Sequence, residues 1–136
     1  MRPIRRRWSY QLKLPSGVEA PAAARAAMIG QCDGSDLGPS SLHTLVLLVS
    51  EVVSNAVLHS HGPADAPIML TARMSEDVLR VTVTDAGAGF TPEPPTPGLN
   101  KGGYGLYLLD RVASRWGVDR VGGTRVWFEL PASASL

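Results

Sequence analysis

Glu51 and Asn55 stand four residues apart in a stretch of helical apolar period, so their side chains lie one turn from each other. Leu42, Leu45, Val46, Val49, Val52, Val53, Ala56 and Val57 form one wide apolar stripe there, and the Glu51–Asn55 row occupies the opposite side. Leu47, Leu48 and Leu58 share that side, so a carboxylate and an amide among leucines mark a covered site where charge is used. A second polar pair comes from strand alternation. Asp85 continues the parity of Leu79, Val81 and Val83, and Thr124 is in phase with Val126, Phe128 and Leu130. A lone buried carboxylate is costly unless hydrogen-bonded. Asp85 and Thr124 therefore read as two polar groups lining an apolar pocket, as in a binding site. Glycines supply a third feature. Gly102-Gly103-Tyr104-Gly105 directly precedes an amphipathic helix, where free backbone N–H groups and the helix N-terminus form an anion site. Asp85-Ala86-Gly87-Ala88-Gly89-Phe90 is no dinucleotide fingerprint, because Pro92 stands where the third glycine would be. His59 continues the Glu51–Asn55 row and forms an HxH pair with His61, but no third ligand is in view.

The elements that must position these groups alternate along the chain. Trp8 to Leu14 reads as a short strand, and Glu19 to Gln31 as an Ala-rich helix with Pro21 near its start. Ser40 or Ser41 is the expected N-cap of a long helix running to about Ser60. Strands follow at Pro67–Met74 and Val78–Thr84, then a Gly/Pro-rich segment, a helix from about Tyr104 to Arg115, and strands at Trp116–Val121 and Thr124–Leu130. Residues 91–101 carry four prolines and are too long for a simple turn, as lids are. The order is not strict βαβα. It predicts a two-layer α/β (α+β) sandwich, a mixed sheet with helices on one face.

Composition bounds the function. At 136 residues the chain makes one domain, 1–136, with a core over about 8–131 and a basic tail at 1–7. The longest uninterrupted hydrophobic run is five residues, Leu45 to Val49, so no membrane span is expected. The basic amino terminus lacks the apolar stretch of a signal peptide, and the lone Cys32 rules out an internal disulfide framework. A soluble cytoplasmic protein is expected. Residues 1–13 hold five of the thirteen basic residues and none of the twelve acidic ones. The remainder is mildly acidic, which argues against a direct nucleic-acid partner.

In this order and spacing the pieces resemble the GHKL (Bergerat-fold) ATPases. Glu51-Val-Val-Ser-Asn55-Ala56-Val-Leu-His59 is similar to the N box, Asp85-Ala-Gly87-Ala-Gly89-Phe90 to the G1 box, and Gly103-Tyr104-Gly105-Leu106 to the G2 box. Gly123-Thr124-Arg-Val126 resembles the closing Gly-Thr strand, and the likeness spans roughly residues 40–130. Within that group the chain is most similar to small single-domain anti-sigma factors with serine kinase activity. The resemblance implies ATP and Mg²⁺ as cofactors, with Asn55 holding the metal through its carbonyl oxygen. Asp85 would accept from the adenine amino group with Thr124 assisting. Gly87 and Gly89 would let the backbone approach the nucleotide, and the amides from Gly103 through Tyr104, Gly105 and Leu106 would hold phosphates. Lys101 is placed beside that loop as a phosphate contact. Glu51 is the catalytic residue by resemblance, a general base acting on a serine hydroxyl or water. The implied activity is that of a protein serine/threonine kinase regulating transcription. Its implied partners are an anti-anti-sigma (STAS-domain) protein or a sigma factor, with homodimerisation common in the branch. The alternative is a non-catalytic ATP-binding switch controlling a protein partner.

Overall fold

Alternating apolar residues produce five strands: β1 (Trp8–Leu14), β2 (Ile68–Met74), β3 (Val78–Asp85), β4 (Arg115–Arg120) and β5 (Thr124–Pro131). Three segments of helical period give α1 (Ala20–Gln31), α2 (Pro39–His59) and α3 (Tyr104–Val112). The computed structural model describes residues 7–32, 37–59, 66–85, 104–120 and 123–132, with backbone alone at residues 59 and 104–106. The strands form one sheet in the order β1-β2-β3-β5-β4.

The two-layer α+β sandwich expected from the sequence is what forms, but its strand directions differ from expectation. All four pairings are antiparallel, so the sheet is not mixed. For two of these pairs, β2–β3 and β4–β5, the cause is connection length. A parallel crossover needs a dozen or more residues, whereas three residues separate β2 from β3 and three separate β4 from β5.

Core residues come from one parity of β1, β2, β3 and β5, and on β4 Trp116 and Val118 pack against them partly buried. Leu14, Leu70, Ala72, Leu79, Val81, Phe128 and Leu130 are buried beneath the helices. Phe128 is the largest side chain among those fully enclosed. α2 is the central helix and packs on α1, α3, β2, β3 and β5. Pro39–Leu58 is long and apolar enough, by length and composition, to cross a membrane, with a hydropathy of 1.6. Here Leu45, Leu48, Val49, Val52 and Val53 spend that apolar surface on the domain core. α1 adds Ala20, Ala24 and Met28, and Arg25 of α1 donates to Ser50 Oγ of α2 at 2.8 Å.

α2 begins earlier than its serines suggest. Pro39 takes the first helical position, where its fixed φ is already helical and its missing N–H costs nothing. Gly38 O accepts from Leu42 N at 2.9 Å and closes the first turn. Ser41 is thereby released from capping, and its hydroxyl donates to Pro131 O at 3.0 Å, across to β5.

Candidate functional site

The Ser41–Pro131 hydrogen bond sets the start of α2 beside the end of β5, and Gly38 N donates to Ala132 O at 3.4 Å in the same corner. A helix rises about 1.5 Å per residue and a strand about 3.4 Å. Asn55 thus lies about 21 Å along α2 from Ser41, and Thr124 about 24 Å along β5 from Pro131. Each polar pair lies far along its own element from that corner.

The strand pair has the geometry its alternation predicts. Asp85 ends β3 and Thr124 opens β5, and the two are directly opposite in register. Asp85 is 4% exposed and Thr124 1% exposed, on the face of Val83 and Val126. Thr124 Oγ1 is buried without a hydrogen-bond partner among the described residues. A hydroxyl carries one donor and two acceptor positions, and leaving it unmet costs about 1–3 kcal/mol. A planar heterocycle edge could meet the Thr124 hydroxyl through a ring nitrogen, and an amino group on that edge would suit the Asp85 carboxylate beside it. The residues present fit an adenine.

The helix pair sits at a border. Asn55 is buried at 8% exposure, while Glu51, one turn earlier, is half-buried. The leucines expected to cover this row divide. Leu48 is fully buried, but Leu47 is 39% and Leu58 66% exposed. At about 100° per residue, Leu58 and Leu47 lie about 60° and 80° beyond Asn55, outside the arc that the sheet and helices enclose. Asn55 therefore faces inward and Glu51 sits at the rim, where a carboxylate can meet both the interior and an incoming group. Among the described residues no three His, Cys, Asp or Glu side chains come together as a metal cluster. A Mg²⁺ ion that keeps waters and takes substrate phosphates needs only one or two protein oxygens, which the Asn55 amide can supply.

Tyr104, Gly105 and Leu106 form the first turn of α3, which packs on α2 and β4. Gly87, Gly89, Lys101 and Gly103, together with the 91–101 segment and His61, lie outside the described residues. The alternation that buries Asp85 and Thr124 also sends Arg80, Thr82, Thr84, Arg125, Trp127 and Glu129 to the sheet's other face. Their shared parity is visible in the sequence, but their mutual contacts are not.

Residues 14–130 match the histidine kinase-like ATPase domain family. Serine-protein kinase RsbW of Oceanobacillus iheyensis is 26% identical over 115 residues, covering 75% of this chain and 73% of that protein. Serine-protein kinase RsbW of Bacillus subtilis is 26% identical over 129 residues, covering 85% of this chain and 81% of that one. The structure of the RsbU and RsbW domains of a Mycobacterium tuberculosis protein superposes with TM-score 0.69 at 19% identity, a likeness of fold. It covers 95% of this chain, which spans 35% of that longer one. The blue-light activated histidine kinase of Erythrobacter litoralis superposes with TM-score 0.59 at 27% identity, covering 87% of this chain and 42% of that chain.

Proposed function

Because the chain belongs to the histidine kinase-like ATPase domain family, we propose that it is an ATP-binding regulator that phosphorylates a serine on a partner protein. The partner class is an anti-anti-sigma protein of the STAS type, and the regulated protein is a sigma factor. The likeness to two serine-protein kinases over most of their length supports the reaction class. The observation that supports the reading is two polar pairs, half-buried Glu51 one turn from buried Asn55 on α2, and buried Asp85 opposite Thr124 with an unmet hydroxyl.

In this reading Asp85 and Thr124 select adenine, and Asn55 holds Mg²⁺ through its amide oxygen. Bound there, the ion would supply positive charge against the phosphates. Glu51 accepts the proton of the acceptor serine as its oxygen bonds to the γ-phosphorus. The bond from that phosphorus to the β–γ bridging oxygen breaks, ADP leaves, and the product is a phosphoserine. Gly87, Gly89, Lys101 and Gly103 belong to the same proposal as backbone and side-chain contacts to the nucleotide, with Tyr104, Gly105 and Leu106 at the α3 start. The protein is read as cytoplasmic, where both ATP and a sigma factor reside.

The test supplies γ-labelled ATP and a STAS-domain acceptor to the wild type and to Glu51→Ala. Serine labelling should fall by about 10²-fold or more in the variant, with ATP affinity changed by less than about threefold. ATP binding without labelling in the wild type would assign the chain to a non-catalytic switch instead. Unlabelled acceptor together with no ATP binding would remove both readings.

A further inference from the structure

The face of the sheet turned away from the helices carries a second built feature. In register across the strands, Arg73 of β2 faces Arg80 of β3, Thr71 faces Thr82, and Thr82 and Thr84 face Trp127 and Arg125 of β5. Thr71, Arg73, Arg80, Thr82, Arg125 and Trp127 line an open depression of about 440 Å³. The Trp127 indole lies over Gly117 of β4, where an added Cβ would come within 2.7 Å of Nε1. The Arg80 guanidinium caps the same ring at 3.9 Å from its centroid.

Charge on this face is lopsided. Lys13, Arg73, Arg80, Arg115 and Arg125 share its parity with only two acids, Asp119 and Glu129. Glu129 is shared by Arg80 at 3.1 Å and Arg115 at 3.5 Å. Asp119 reaches Arg125 at 3.5 Å, with both side chains more than 40% exposed. Arg73 has no acidic partner among the described residues, and it stands directly opposite Arg80. Like charges placed so on neighbouring strands destabilise a sheet. A mildly acidic domain has therefore concentrated uncompensated positive charge on one concave face.

We propose that this face binds an acidic polypeptide segment of a partner protein, its carboxylates engaging Arg73, Arg80 and Arg125 while Thr71, Thr82 and Thr84 offer hydroxyls to its backbone. Spacing favours an extended chain. Arg73 and Arg125 are two strands and four residues apart in register, about 17 Å by strand geometry. One small anion cannot bridge that span, whereas alternate side chains of an extended peptide can. A nucleic acid would want free aromatic faces to stack on, and the Trp127 ring is already covered by Arg80 and Gly117. A second copy docked by two-fold symmetry would set this positive face against itself. The surface is on the opposite side of the sheet from the Asp85–Thr124 pair, so it does not depend on the kinase reading.

The test uses the full chain with saturating Mg-ATP and a short fluorescent peptide alternating Glu and Ser, followed by anisotropy. Binding should be measurable at low salt and weaken as salt rises. Paired charge reversal, Arg73→Glu with Arg125→Glu, should lower affinity by about tenfold or more. The same two reversals on the helices, Arg25→Glu with Arg111→Glu, should change it less than about threefold. Arg73→Gln with Arg125→Gln removes the charge with less risk to the fold and should also weaken binding, with no fall in melting temperature. Equal losses in the helix-variant control would overturn the proposal. So would displacement of the peptide by oligothymidylate at lower concentration than by unlabelled peptide, or a dimer that Arg73→Glu dissociates.

Discussion

Thr124 concentrates the residue-scale logic of the proposed nucleotide site. Its hydroxyl is enclosed beside the Asp85 carboxylate and has no partner among the described residues. Thr124→Val keeps the shape and removes an unmet polar group, so the nucleotide-free protein should melt at an equal or higher temperature. The gain should be up to about 1–2 kcal/mol in denaturant titration. ATP affinity should fall in the same variant, because a hydrogen bond to the base is lost. Stability and binding then move in opposite senses, which a purely structural threonine would not produce. Asp85→Asn tests the neighbouring group. It replaces an acceptor-only side chain with one that presents donors, so a titration with fluorescent ATP should show affinity reduced by about tenfold or more. Unchanged affinity would remove the adenine assignment. Both residues are legible in the sequence, because a period of two carries parity to the strand ends without knowledge of the fold. Leu47 and Leu58 were legible only as apolar residues. Whether a leucine at the flank of a helix is covered depends on what packs there, and these two remain exposed.

At the scale of elements, α2 decides most of the architecture, and its register is set by contacts that no local pattern encodes. Capping preference points to Ser40 or Ser41, yet Pro39 starts the helix and Ser41 ties it to β5. Such a cross-layer bond links residues ninety positions apart. Ser41→Ala should cost about 1–2 kcal/mol, since it leaves Pro131 O short of a donor. Chemical denaturation of the nucleotide-free protein gives that number. The strand directions were hidden for a related reason. Element order alone admits a mixed sheet, and only the three-residue β2–β3 and β4–β5 connections force hairpins. β4 and β5 also approach closely where Gly117 lies beneath the Trp127 ring. Gly117→Ala puts a methyl into the indole, and the ring or strand must shift at a cost of about 1–3 kcal/mol. The displaced ring also loses Arg80, so the variant should show altered tryptophan fluorescence along with a lower melting temperature.

For the whole molecule, one sheet separates two chemistries. Among the described residues the helix-covered side holds few buried polar groups, Asp85, Thr124, Asn55 and Ser41, among apolar neighbours. The bare side carries arginines, threonines and a tryptophan. Net charge conceals this, because +1 averages a basic sheet face and amino terminus against an otherwise acidic domain. A ligand held between α2 and the sheet end would join the central helix to β3 and β5, and therefore stabilise the domain as a unit rather than one loop. Binding to the folded state alone adds about 2.7 kcal/mol when free ligand is a hundredfold above Kd. For a domain of this size that corresponds to a rise in melting temperature on the order of 10 °C. The shift should need Mg²⁺ for its full extent if Asn55 holds the metal, and should shrink in Asp85→Asn at the same ATP concentration. Arg73→Gln lies on the other face and should leave the shift intact. If Arg73→Gln removed it while Asp85→Asn did not, the nucleotide would belong on the bare face, and the two sides of the sheet would have been assigned in reverse.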